Sequence, residues 1–534
     1  MKKLLKIASL LVIFTLFALK AQAREINYEF DLKENTIQII LTIKGNHSGS
    51  SKFKIPAIFE FDKLQLKKIK IYVNNLDTKY SVYNNFIILH HPPLANIKIS
   101  YELRSLPDYY SNLYFDLTSK HFFLFGQYFL LTPILNDEEL NNMSFKFIYL
   151  CGKVFSNIDH KNGVFDIKLA SVQKLNDVFF VGGNVIQYRI SDLGFNMFVS
   201  KEIELNKQEI INYLSQVQSI HNKFFQELEM DAVTSHYIFL YNPTSQYDIE
   251  GAQTSNVQTI MLGNRVKFDY RLKRMIAHEN LHRWFNSKIF GQHLNEQGYN
   301  CWFIEGFTDY YTDYLNYKNN IISLDEYLNI YNKVLSDYFV SPFRYASNED
   351  IGQSIHDPDL FNIAYLRGKI IAHELNYLLQ YNTNNKSDLD SYIKYLIKFL
   401  YSKKTANFDL NLLEQTLHAF TGHNYSQFID SIAKNEILAK APYILDKRAS
   451  LKHRQIKKVI YDFDFLQSQL SWLVQGVSIN SEAFNAGLRD GQQILNTTKT
   501  TSGDLFFEIR DKTSIKTIKI PQKHINILIP FYEY

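Results

Sequence analysis

The amino-acid sequence predicts a multidomain chain, opening with an N-terminal, mostly antiparallel β domain and continuing into an α+β domain. Two patterns and a length carry this expectation. Through the first 200 residues, apolar side chains alternate with polar or small ones: Ile37, Ile39, Leu41 and Ile43, then Ile69, Ile71 and Val73, then Ile97, Ile99 and Tyr101. A period of two marks strands with one buried face, and breaks at Asn, Asp, Pro and Gly mark the turns between them. From Lys207 to about Leu228 the period changes to that of a helix. A strand-like run, His236 to Tyr241, follows, and helical patterns recur at Ile363–Leu379, Leu389–Tyr401 and Asn411–Phe420. The chain is long enough for about three domains.

The N-terminus reads as a targeting segment. Lys2, Lys3 and Lys6 precede a mostly apolar run from Ile7 to Leu19, and Ala21-Gln22-Ala23 has the small-x-small form of a cleavage site. The run is too short, and too closely followed by Lys20, for a good membrane span. Cleavage after Ala23 and export to the periplasm or the exterior are expected. No later segment reads as transmembrane. The formal charge of +4 vanishes once the four lysines of residues 1–23 are removed, which argues against a nucleic-acid partner. Two cysteines, Cys151 and Cys301, are too few for a disulfide scaffold, although an exported compartment would permit them to pair.

Chemistry concentrates at His278-Glu279-Asn280-Leu281-His282, in a stretch without Pro or Gly from Arg271 to Ile289. Residues four apart share one helix face, so His278 and His282 can offer imidazole nitrogens to one metal ion, with Glu279 beside a water on it. Met275, His278, His282 and Phe285 form one stripe at helical spacing. A catalytic zinc site needs a third protein ligand. Glu305 is the candidate, in Trp302-Phe303-Ile304-Glu305-Gly306-Phe307-Thr308-Asp309-Tyr310-Tyr311, far enough along for a return on a second helix. Asp309 lies on the same face as Glu305 and can accept a hydrogen bond from the non-ligating nitrogen of His278 or His282. The pair at His356-Asp357-Pro358-Asp359 reads instead as a solvated loop.

These residues resemble a family. H-E-x-x-H-x-W followed by W-x-x-E-G-F-T-x-Y-Y is similar to the M61 peptidases, the glycyl aminopeptidase family of the gluzincin clan; the spacer before the glutamate is longer than is usual in M1 aminopeptidases. The resemblance implies a thermolysin-like α+β catalytic domain over residues 201–450, behind the β domain of residues 24–200. It implies one Zn2+ held by His278, His282 and Glu305, with Glu279 as general base and Tyr311 supporting the ligands. Tyr365-Leu366-Arg367-Gly368 is similar to the family's Y-x-K-G segment, with Arg367 for the usual lysine, and implies that Tyr365 stabilises the oxyanion. Residues 451–534 contain Ala486-Gly487-Leu488-Arg489-Asp490-Gly491-Gln492-Gln493-Ile494-Leu495, which resembles the signature of PDZ domains, with Gln492 for the usual aspartate. Such a domain can bind an extended peptide.

The family also carries a G-G-L-E-H-like segment whose glutamate helps to hold the substrate's amino group. Here Gly251, Ala252 and Gln253 form the expected substrate-binding segment, with Gln253 or Thr254 where the acid would fall; Glu250 could substitute only if the register shifts. An amide accepts a hydrogen bond but supplies no charge. The expected activity is therefore hydrolysis of peptide bonds in peptide or protein substrates, as an aminopeptidase with altered recognition of the N-terminus. The alternatives are an endopeptidase on the same site and a non-catalytic, zinc-containing peptide-binding scaffold.

Overall fold

The computed structural model describes residues 26–534 apart from 34, 62–67, 106–112, 136–141, 149–152, 159, 162–163, 169–171, 191–193, 229–233, 244–247, 255, 286–299, 355–356, 404–407, 438, 446, 501–503 and 512–513. The expected targeting segment, Cys151 and His356 lie outside the described residues. The chain is a multidomain mixture of antiparallel sheets and helices. It falls into two compact units, one within Met1–Ser215 and Ala232–Glu279, the other within Gln216–Asp231 and Asn280–Tyr534.

In the first unit the alternating runs become strands. Ile37, Ile39, Leu41 and Ile43 of Thr36–Lys44 all point into the core. That strand pairs antiparallel with Ile26–Lys33 on one side and Asn96–Arg104 on the other, inside an eight-stranded sheet. One pairing is parallel, between Ile26–Lys33 and Asn142–Ile148. Two phenols in this core are satisfied: Tyr28 donates to the Leu131 carbonyl (2.8 Å) and Tyr101 to that of Phe129 (2.9 Å). Buried hydroxyls without such partners would be costly.

The same unit holds a five-stranded mixed sheet, in the order Val185–Ile190, Phe195–Ser200, Ser235–Tyr241, Val257–Leu262, Ile249–Thr254. The central strand, Ser235–Tyr241, pairs parallel with both neighbours and is buried almost throughout. The last strand, Ile249–Thr254, is an edge, antiparallel to Val257–Leu262 without a bulge from Ile249↔Leu262 to Thr254↔Val257.

The second unit is built on helices. Three matter most: the glutamate helix Cys301–Lys318, the Leu324–Val340 helix and the tyrosine helix Pro358–Asn382. The Leu324–Val340 helix falls outside the periodic runs picked out from the sequence, although its start is written there: Ser323 and Glu326 form a capping box. The polar Asp357–Asp359 segment is also more than a solvated loop. Asp357 caps the tyrosine helix by accepting from the Leu360 amide (3.1 Å), and Pro358 occupies its first turn.

The glutamate and tyrosine helices touch backbone to backbone. A Cβ on Gly368 would stand 1.8 Å from the Trp302 carbonyl oxygen, and one on Gly306 would stand 2.3 Å from Gly368 Cα. Arg367 beside this contact is fully buried. It donates to the side-chain oxygens of Asn348 and Asn435 and to the carbonyls of Arg344 and Ala346, at 2.7–3.0 Å. A lysine in its place would have too few donors, in the wrong geometry, for that set.

After these helices the chain forms two three-stranded sheets. One contains the long antiparallel pair Ala449–Ile460 and Lys523–Glu533; the other, inserted between those two strands in the chain, is Gln493–Lys499, Leu505–Asp511 and Ser514–Ile520. Asn332 locks the last strand to the Leu324–Val340 helix through reciprocal bonds with the Tyr532 backbone, both 2.8 Å. The Gly368 contact yields a direct expectation. Gly368→Ala must push the two helices apart, with a loss of about 3 kcal/mol or more, read as a lowered midpoint in denaturant relative to the parent chain.

Candidate metal centre

The pentad lies on the helix Tyr270–Leu281, which ends one residue before His282. The expected helical stripe through Phe285 is thus completed by a tight final turn. Trp284 N–H donates to the Leu281 carbonyl (2.9 Å), and so does Phe285 N–H (3.1 Å). The ending is imposed by the side chains around it. Trp284 is buried and stacks on Phe225, with ring centroids 4.6 Å apart. His282 Nδ1 donates to the Phe285 carbonyl (2.9 Å), and Thr308 Oγ1 stands 3.5 Å from the same nitrogen. This fixes the tautomer and leaves Nε2 as the lone-pair nitrogen.

Nε2 of His282 faces Oε2 of Glu305 at 3.4 Å. That separation suits a shared cation: two ligand atoms about 2.05 Å from a tetrahedral zinc stand about 3.4 Å apart. His278 completes the group, and one ligand atom from each of His278, His282 and Glu305 lies within 4.8 Å of the others. Two imidazoles and one carboxylate make a borderline-soft donor set that fits zinc and leaves a coordination position open. All three residues are buried or half-buried.

Glu279 is almost fully buried and lies against the edge strand Ile249–Thr254. A Cβ on Gly251 would come within 2.7 Å of Glu279 Oε1 and of Met275 Sδ. Gly251 therefore faces the pentad helix. Since the strand is regular, Gln253 shares that face, whereas Glu250, Ala252 and Thr254 point the other way. Ala252 indeed packs against the hydrophobic cluster on the opposite side, with Ile238, Leu240, Val257 and Met261. Glu250 is buried on that side, so no register shift brings its carboxylate toward Glu279.

Asn280, inside the pentad, accepts from Nδ1 of fully buried His221 at 2.7 Å. Burial holds the His221 pKa down at about 4, against the pull of this hydrogen bond. Asp309 is buried, 4.0 Å from Lys369 Nζ. The expected hydrogen-bond acceptor for His282 is thus the Phe285 carbonyl rather than Asp309. Tyr311 acts by packing, its ring stacked on Phe285 at 5.5 Å. Tyr365 is half-buried, three residues before Gly368, its ring edge-on to Phe361. Cys301 does not read as a reactive thiol: burial and the nearby Glu305 carboxylate push its pKa up to about 12. The Phe285 carbonyl and His221 were beyond sequence reasoning, because neither carries a motif position.

Residues 271–357 match the family described as M61 glycyl aminopeptidase. Among solved structures, the chain is similar to an aminopeptidase N family protein from Idiomarina loihiensis, 15% identical, with 94% of this chain and 97% of that one covered and a TM-score of 0.66. It is also similar to aminopeptidase A of Legionella pneumophila, solved with aspartic acid: 11% identity, 95% and 56% coverage, TM-score 0.46. No curated protein matches significantly.

The burial of His221 beside Asn280 makes acid stability a readout of the pentad's support. Below the unfolded histidine pKa of about 6.5 the unfolded chain takes up a proton that the native chain refuses until about pH 4. Stability therefore falls as pH drops through that window, by up to about 3 kcal/mol from this residue. His221→Gln is expected to flatten the dependence of the urea midpoint on pH between 6.5 and 4; an unchanged slope counts against the assignment.

Proposed function

We propose that this chain, an M61-family peptidase over residues 271–357, is an exported zinc aminopeptidase with altered recognition of the substrate N-terminus. The observation that carries the reading is the convergence of His278, His282 and Glu305, with Glu279 held against the edge strand. These three residues would hold the zinc ion, which when bound polarises the scissile carbonyl and acidifies water. The substrate is proposed to lie along Ile249–Thr254 as an added strand, its backbone on Gly251 and Ala252 and its N-terminal end toward Gln253.

Glu279 takes the proton of the attacking water and returns it to the leaving amine, a transfer that its position beside both substrate strand and ligand histidines suits. Tyr365 donates its phenolic hydrogen to the developing oxyanion. Asp309 and Tyr311 hold the ligands in place, Tyr311 through Phe285. Residues 24–200 are read as the β domain and 201–450 as the thermolysin-like catalytic domain. Residues 451–534 are read as a PDZ-like domain, supported by the turn at Gly487 and Gly491, both with positive φ. Gln492, in the usual aspartate position, still closes that turn by accepting from the Arg489 amide (2.8 Å). Export rests on the basic and apolar first 23 residues; no helix among the described residues is long and apolar enough to cross a membrane.

An endopeptidase is the second reading, favoured by one feature: Gln253, a neutral amide, occupies the helix-facing position of the edge strand. Two measurements decide. Glu279→Gln is expected to retain zinc, measured by metal analysis, while lowering kcat by a factor on the order of a thousand or more; full activity in that variant overturns the mechanism. Digestion of one peptide in free and N-acetylated forms separates the readings. Cleavage confined to the free form supports the aminopeptidase, and equal cleavage of both supports the endopeptidase.

A further inference from the structure

Glu305, Asp309 and Asp313 follow one another at intervals of four residues on the glutamate helix. Their carboxylates therefore form a row along one side of it. The last two members are buried, Asp309 at 7% exposure and Asp313 at 0%. Lys369 of the tyrosine helix, also at 0% exposure, meets this row: its ammonium donates to Asp313 Oδ2 and stands 4.0 Å from Asp309 Oδ2. A buried cation is retained only where anions compensate it, and here one ammonium lies within reach of two carboxylates.

The lysine has little freedom to leave this position. It follows Gly368, whose backbone lies against Trp302 and Gly306. One turn further along, His373 is bonded to the Tyr327 hydroxyl (3.0 Å) and lies against the Tyr331 ring, centroids 3.9 Å apart. Burial and the neighbouring Lys369 hold the His373 pKa well down, so the imidazole stays neutral and the cation of this cluster is the lysine.

We propose that Lys369 is a positioning residue for the metal centre: its buried ammonium holds Asp309 in place beneath the ligand shell. This rests on the zinc reading given above. Nδ1 of His282 is already committed to the Phe285 carbonyl, so the histidine that Asp309 serves is His278. The row then runs from ligand Glu305 through orienting Asp309 to Asp313, with Lys369 tying the last two together. A lysine that merely neutralised Asp313 would matter for folding and leave metal affinity untouched.

Zinc affinity of the full chain, measured by competition with a fluorescent chelator after metal removal, separates these roles. Lys369→Met is expected to weaken zinc binding about 10- to 100-fold, the usual effect of losing an outer partner of a ligand. Lys369→Gln, which keeps a donor for Asp313 but loses the charge, is the second variant should the first fail to fold, and the same loss is expected. Asp313→Asn leaves the lysine free to pair with Asp309; it should lower thermal stability and keep zinc affinity within about threefold of the parent. Lysine variants that bind zinc like the parent overturn the inference, as does an Asp313→Asn variant that loses as much affinity as they do. A parent chain that takes up no zinc overturns the metal reading itself, and the inference with it.

Discussion

The candidate metal centre depends on a contact between two backbones. Gly306 and Gly368 let the glutamate and tyrosine helices approach so closely that a methyl group on either would collide with the other's main chain. Everything that the two helices contribute is measured from that crossing. Glu305 is one residue before Gly306, Lys369 one residue after Gly368, and Tyr365 one turn before it. A side-chain interface would allow small slips as rotamers change; a backbone interface does not, because main-chain atoms have no alternative packing. Both glycines are thus explained by proximity rather than by backbone conformation, since neither has a positive φ.

Around this crossing, aromatic packing carries out what hydrogen bonds alone would do loosely. Trp284 on Phe225 and Phe285 on Tyr311 fix the turn that ends the pentad helix. The Phe285 carbonyl in turn aims the His282 ring. The order matters physically. A lone hydrogen bond to an imidazole contributes about 1 kcal/mol and tolerates a range of angles, whereas buried rings with defined contacts restrict the carbonyl itself. Trp284 and Tyr311 therefore act by packing, one step away from the candidate ligand His282.

Much of this was legible in advance, for identifiable reasons. The strand at Thr36–Lys44 announced itself by alternation because one of its faces is buried. His278 and His282 were legible as neighbours because residues four apart share one helix face, and the Y-x-x-G spacing of Tyr365 and Gly368 lies on a single helix, Pro358–Asn382. Four things were not. The pentad helix stops at Leu281, because a Trp–Phe stack outweighs continued helical propensity. The Leu324–Val340 helix was hidden by its many tyrosines and polar residues, although Ser323 and Glu326 marked its start. The Asp357–Pro358 cap was mistaken for a loop because both residues also favour turns. Lys369 drew no attention, since an apolar-looking helix segment gives no hint that its single lysine finds two aspartates on a neighbour.

The face on which Gln253 sits has a consequence for how such a site would respond to its substrate's own proton. An acid at that position prefers a protonated amine, and binding would fade as the α-amino group, with a pKa of about 7.7–8.0, gave up its charge. A carboxamide oxygen accepts a hydrogen bond from ammonium and free amine alike. A site that held its substrate's amino end on Gln253, as proposed above, would therefore be indifferent to that titration, and mildly alkaline surroundings, which would loosen the grip of an acidic anchor, would leave it unchanged.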